Sequence, residues 1–185
     1  MGPGRLSDRL RAIGIRQEGD PILREPCTTF DLPREAEKAR DLHGELLGYM
    51  DLIHSLYPFV KGMGLAAPQI GVSRALAVVQ APDEEPITLL NPQVVRESGE
   101  RDQKYEGCLS FFDVRGLVSR ALCMRVRCAT WDGEDQLMTL KQGVARLAAH
   151  EIDHLHGTLY LDRLSPATAP VPLTEYDGSG EAWRY

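Results

Sequence analysis

No stretch of the 185-residue sequence approaches the roughly 20 consecutive apolar residues needed to cross a bilayer. The first residues, MGPGRLSDRLRAIG, have neither the apolar run nor the small-residue cleavage site of a secretory signal. Leu6 stands where a myristoylation signal wants Ser or Thr. These absences predict a cytoplasmic protein with no membrane partner. An excess of basic residues is missing too. The net charge is −6, which argues against general affinity for nucleic acid, so no direct nucleic-acid binding is expected. There is no internal repeat, which excludes repeat architectures. The four cysteines, Cys27, Cys108, Cys123 and Cys128, do not make a disulfide framework in a cytosolic chain of this length. They read as free thiols, metal ligands or catalytic groups, and Cys123 and Cys128, on an alternating run, as packing residues.

What is present is ordinary globular material, 43% hydrophobic and 26% charged, enough for one domain with a proper core. Leu42, Leu46, Met50, Ile53 and Tyr57 recur every three or four residues, which predicts an amphipathic helix over about 34–57, ended by Pro58 and the glycines after it. Residues 75–80 and 87–95 read as strands, the second interrupted by Asn91-Pro92. A third strand region covers 117–130, with a returning strand near 136–140 after the turn WDGED. A helix of about a dozen residues follows Gly143. Strands in the middle with a helix on either side predict an α+β domain. Residues 1–164 are expected to form that domain. Residues 165–185, proline-bearing and without periodicity, are expected to be a flexible or surface-wrapped tail.

The second helix carries AAHEIDHLHG, residues 148–157. Residues i and i+4 share a helix face, so His150 and His154 can offer imidazole nitrogens to one ion. Glu151, at the edge of that face, can reach a metal-bound water as a general base without ligating. The bland alternative is a helix with two satisfied surface histidines. A catalytic site of this kind needs a third protein ligand and an open position. Downstream, His156 is on the wrong face, and Glu175, Asp177 and Glu181 lie in the Gly/Pro-rich tail. Upstream, YEGCLSFFDVRG (105–116) offers Cys108 after Gly107, in an extended run. A thiolate with two imidazoles leaves one position open and suits softer ions, including Fe(II). His43 and His54 have no ligand-spaced partner.

A third stretch, GMGLAAPQIG (62–71), lacks the third glycine and free helix start of a dinucleotide loop. Its small residues suit an extended segment along which another backbone can lie. Gln69 adds an uncharged amide donor of the kind that stabilises an oxyanion.

Together and in this order, Gly62-Met63-Gly64-Leu65-Ala66-Ala67-Pro68-Gln69, Glu106-Gly107-Cys108-Leu109-Ser110 and His150-Glu151-Ile152-Asp153-His154 closely resemble the three signatures of the peptide deformylase family. GDPILR (19–24), NP (91–92), VRG (114–116) and HGTLYLDRL (156–164) extend the resemblance over about residues 13–164. It implies antiparallel sheets packed around a central helix that carries the two histidines. It also implies removal of the formyl group from N-formylmethionyl peptides or nascent chains, releasing formate. Cys108, His150 and His154 would bind one divalent metal, Fe(II) in the cell, with zinc, nickel or cobalt as substitutes. Glu151 would take a proton from the metal-bound water and pass it to the leaving amine. Gln69 and the backbone N–H of Leu109 would hold the oxyanion. Met63, Gly64 and Arg115 would bind substrate. Separately, because metal sites generally need supporting partners behind their ligands, Asp153 and Arg120 are expected to orient the site. The alternative is a specialised deformylase or amidase acting on an N-formyl small molecule or pathway peptide.

The sequence departs from the family at Phe111-Phe112, at Ala149, where the family often has glutamine, and in its tail. Phe111-Phe112 follows Ser110, which would add aromatic bulk beside the substrate path. Arg146 shares a face with both histidines; it is expected to snorkel to solvent, the other reading being a border of the methionine pocket. The acidic tail has no counterpart of the family's basic C-terminal helix, which leaves ribosome docking open.

Overall fold

The structure, a computed structural model, describes residues 5–57, 59, 61–165, 168–178 and 183–185. Pro58, invoked above for helix termination, and Glu181, weighed as a downstream ligand, lie outside the described residues. Two helices open the chain, α1 (Leu6–Ala12) and α2 (Ala36–Leu56). Eight strands follow: β1 (Met63–Ala66), β2 (Leu76–Gln80), β3 (Ile87–Leu90), β4 (Gln93–Glu97), β5 (Arg101–Glu106), β6 (Val114–Ala121), β7 (Cys123–Ala129) and β8 (Asp135–Lys141). Then come α3 (Gln142–Leu155) and a last short strand, β9 (Val171–Pro172). All strand pairings are antiparallel, in three three-stranded sheets ordered β1-β2-β3, β4-β7-β8 and β5-β6-β9. The α+β expectation holds.

The third predicted strand region, 117–130, is two strands in different sheets. The chain turns at Leu122, whose N–H donates to Glu100 and whose carbonyl accepts from Gln142, so both backbone groups are satisfied at the corner. The break at Asn91-Pro92 likewise separates β3 from β4. Asn91 sits at φ +47° and its amide clamps Phe30, accepting from the Phe30 N–H at 2.8 Å and donating to its carbonyl at 2.9 Å. Asparagine tolerates that left-handed conformation better than most residues.

The helix α3 is buried on nearly every side, as expected of a helix enclosed by other elements. Ala145, Ala148, Ile152 and Leu155 form one stripe, packed among Ala77, Val79, Leu89, Val126 and Leu140 from the two sheets. On its other side α3 faces β6 and the turn around Cys108. The α2 stripe of Leu42, Leu46, Met50 and Ile53 packs separately, with Leu65, Leu76 and Val78. A rigid helix, gripped by sheets on either side, thus holds the HEIDH segment in the interior.

Candidate metal centre and its cavity

The three expected ligands converge. Cys108 Sγ and one ring nitrogen each from His150 and His154 lie within 4.8 Å of one another, all buried. Cys108 Sγ is 3.2 Å from His154 Nε2. Donors on one tetrahedral ion at the usual metal–sulfur and metal–nitrogen lengths stand about 3.5 Å apart, so the trio fits a single ion. The set of one thiolate and two imidazoles accepts zinc and Fe(II) alike.

His150 reaches this cluster held from behind. Its Nδ1 lies 3.0 Å from Glu106 Oε2. A carboxylate only accepts, so Nδ1 carries a proton and Nε2 is the nitrogen that would ligate an ion. The Tyr160 ring stacks on the imidazole, centroids 5.7 Å apart. Burial opposes ionisation of Glu106, but Arg120 and His150 outweigh it and hold the carboxyl well below the usual range. Burial likewise opposes protonation of His150, yet Cys108 and Glu106 raise its pKa, while burial lowers that of His154.

Glu106 belongs to a larger array, buried at Arg120, Arg146 and Asp153 and reaching solvent at Asp102 and Arg163. Arg120 grips both its oxygens at 3.0 Å and Asp153 at 2.6 Å. Arg146 reaches Glu106 at 2.5 Å and Asp102 at 2.6 Å, and Arg163 closes on Asp153 at 2.8 Å. Three guanidiniums meet three carboxylates, so the charges balance; removing one partner of such a buried pair typically costs about 3–5 kcal/mol. Asp153 and Arg120 are thus bonded to each other, with Glu106 linking Arg120 to His150. Arg146 does not snorkel. It is 2% exposed and buried behind the cavity, because Asp102 and Glu106, near opposite ends of β5, and the Val118 carbonyl offer it acceptors that solvent would otherwise supply. Glu106 had no assigned role in the sequence. A signal was present: in an extended run residues i and i+2 share a face, and Glu106 precedes Cys108 by two.

Glu151 is buried beside the ligands, and one carboxylate oxygen has no hydrogen-bond partner among the described residues. Burial pushes its pKa up to about 7. Gly64 makes room for it: a Cβ there would stand 2.6 Å from Glu151 Cγ. The Gln69 amide accepts from Ala66 N–H at 2.9 Å and donates to Ser110 Oγ at 3.3 Å and Cys108 Sγ at 3.6 Å. The Arg115 side chain lies against Gly107, where a Cβ would be 2.7 Å from its guanidinium carbon.

These groups line one cavity of about 480 Å³, with Met63, Gly64, Gln69, Leu109, Arg115 and Glu151 among its walls. Phe112 lines it too. Phe111 does not; it turns away and packs edge-on against Tyr160, so only one of the two aromatics borders the expected substrate path.

A helix that presents two histidines to a cysteine, with a buried glutamate lining the cavity beside them, defines a metal-dependent hydrolase. The family model for polypeptide deformylase matches residues 13–169. The chain belongs to the peptide deformylase family. It is 40% identical over 149 residues to the peptide deformylase of Desulforudis audaxviator, covering 80% of this chain and 91% of that one. It is 40% identical over 152 residues to that of Acidobacterium capsulatum, covering 79% and 82%. Among solved structures, the peptide deformylase of Thermotoga maritima superposes with a TM-score of 0.69 at 32% identity, covering 82% of this chain and 97% of that one. The Synechococcus elongatus enzyme in complex with actinonin gives 0.71 at 30% identity, covering 83% and 80%.

Proposed function

We propose that this protein removes the formyl group from N-formylmethionyl peptides and nascent chains, in the cytoplasm, with Fe(II) held by Cys108, His150 and His154. The observation that carries the reading is the placement of the buried Glu151 carboxylate beside that ligand trio. A bound ion supplies Lewis acidity and a water that ionises near neutral pH. Glu151 accepts the proton of the attacking water and delivers it to the departing amine nitrogen. Positive charge at the ligand trio would pull its carboxyl below the value set by burial, keeping it basic. Gln69 has two amide N–H bonds; it can keep Ser110 and turn the other toward the oxyanion, alongside the Leu109 N–H. Glu106 holds His150 in the ligating tautomer, and Arg120 holds Glu106.

The ligand trio and Glu151 are buried with Gly64 packed against the carboxylate, and this tight fit favours a formamide. A formyl carbon carries hydrogen where other amides carry carbon, so an N-acetyl peptide must fit an extra methyl beside Glu151 and Gly64. The expected result is that N-formyl-Met-Ala-Ser is hydrolysed and N-acetyl-Met-Ala-Ser is disfavoured by roughly 10–200-fold or more in kcat/KM, the range a single carbon supports. Comparable rates on the two would overturn the formamide reading.

Gly64 gives a second test. In Gly64→Ala the new methyl meets Glu151, so the carboxylate must shift. A displacement of about 1 Å at such a group can cost roughly 100-fold in rate. Formate release should fall on that scale while the Tm drops only modestly; full activity would show that Glu151 does not occupy this position.

A further inference from the structure

The C-terminal residues reach the cavity from two anchors. At one, β9 pairs with β6, Val171 opposite Arg115 and Pro172 opposite Val114, and Leu173 N–H donates to the Asp113 carbonyl at 2.8 Å. At the other, the Arg184 carbonyl accepts from Gly143 N–H at 2.7 Å. That N–H belongs to the first turn of α3, where helix donors have no internal partner, and Lys141 provides no side-chain cap. The tail therefore caps the helix that carries the histidines. Gly143 is required here, since a Cβ would stand 2.7 Å from that carbonyl and 2.6 Å from the Tyr185 ring. The Tyr185 hydroxyl donates to the Lys61 carbonyl.

Between the anchors, Leu173, Tyr176, Asp177, Gly178 and Trp183 all line the cavity. Tyr176 packs on Tyr105, ring centroids 5.2 Å apart. Trp183 packs against the cluster that includes Leu147, with Arg146 5.6 Å from its ring, and its indole N–H has no partner among the described residues.

The direction of a bound peptide follows from β1. Gly64 touches Glu151, so the reacting carbonyl lies at that level. Leu65 and Ala66 are fully buried and do not line the cavity, whereas Lys61, Gly62 and Met63 do. A peptide laid along β1 must therefore run from Gly64 back toward Lys61, the point to which Tyr185 is tied.

We propose, resting on the deformylase reading, that two C-terminal residues set substrate selectivity: Tyr176 and Trp183 wall the path of the residues that follow N-formylmethionine and favour small side chains there. Neither residue touches the reacting atoms. Their effect is steric, and it acts on discrimination between peptides.

The test compares kcat and KM for formyl-Met-Ala-Ser and formyl-Met-Trp-Ser in the Ni(II)-loaded wild type, Trp183→Ala and Tyr176→Ala. The wild type should prefer alanine, and either variant should reduce that preference by roughly tenfold, mainly through KM, a size that filling or emptying an apolar pocket supports. A purely structural role would slow both peptides equally. Should Trp183→Ala not fold, Tyr176→Ala and Trp183→Phe carry the comparison. As a separate readout, in a Trp131→Phe background the remaining Trp183 emission should shift when Met-Ala-Ser is added. An unchanged preference in folded variants, or an emission blind to the peptide, would overturn the proposal. A wild type inactive on both peptides would instead bring down the deformylase reading, and this one with it.

Discussion

Glu151→Gln should lower formate release by roughly 10²–10⁴-fold, the usual worth of a positioned general acid–base group, while the purified protein still holds one metal ion per chain. The substitution is nearly isosteric, so the packing against Gly64 is kept and the carboxylate's ability to accept a proton is lost. The ligand trio does not include Glu151, whose side chain is buried beside the three donor atoms. The informative result is therefore the pair of readings, retained ion and lost turnover. Loss of both would mean that Glu151 helps to hold the ion. Retention of both would remove it from the chemistry.

Cys108→Ala should do the reverse and empty the site. It removes one of three donors, and the sulfur is also the group that faces His154 at 3.2 Å and receives the Gln69 amide at 3.6 Å. Loss of a supporting partner behind a ligand already costs about 10–100-fold in metal affinity, so loss of the ligand itself should cost more. Metal content after dialysis against a weak chelator measures this directly. In the Co(II)-substituted protein, a sulfur-to-metal charge-transfer band should be present in the wild type and absent in the variant. A variant that retained the ion and the band would exclude Cys108 as a ligand.

Much of the site was legible because its chemistry is local. The i, i+4 spacing of His150 and His154 and the adjoining Glu151 define a helix face without reference to anything else. The predicted helix over 34–57 and the strands near 75–80 and 136–140 were readable for a similar reason, since each carries a clear apolar pattern. β5 was not. RDQKYE is polar apart from its tyrosine, and its most buried member, Glu106, is there for ion pairs with Arg120 and Arg146 rather than for apolar contact. The same absence hid the fate of Arg146, whose burial depends on Asp102 and Glu106 some forty residues away. The break at Leu122 between β6 and β7 was invisible because alternation continues through it, and only the backbone bonds to Glu100 and Gln142 mark the corner. The approach of residues 183–185 to Lys61 and Gly143 likewise depends on contacts that no periodicity announces.

The central claim is that Cys108, His150 and His154 hold an ion at which Glu151 drives hydrolysis of an N-formyl group. The most direct measurement is formate release from formyl-Met-Ala-Ser by protein prepared anaerobically with Fe(II), beside the same protein loaded with Ni(II). The account predicts one formate for each new free amino terminus, with the internal peptide bonds intact. No formate with either ion, or cleavage between Met and Ala, would contradict it.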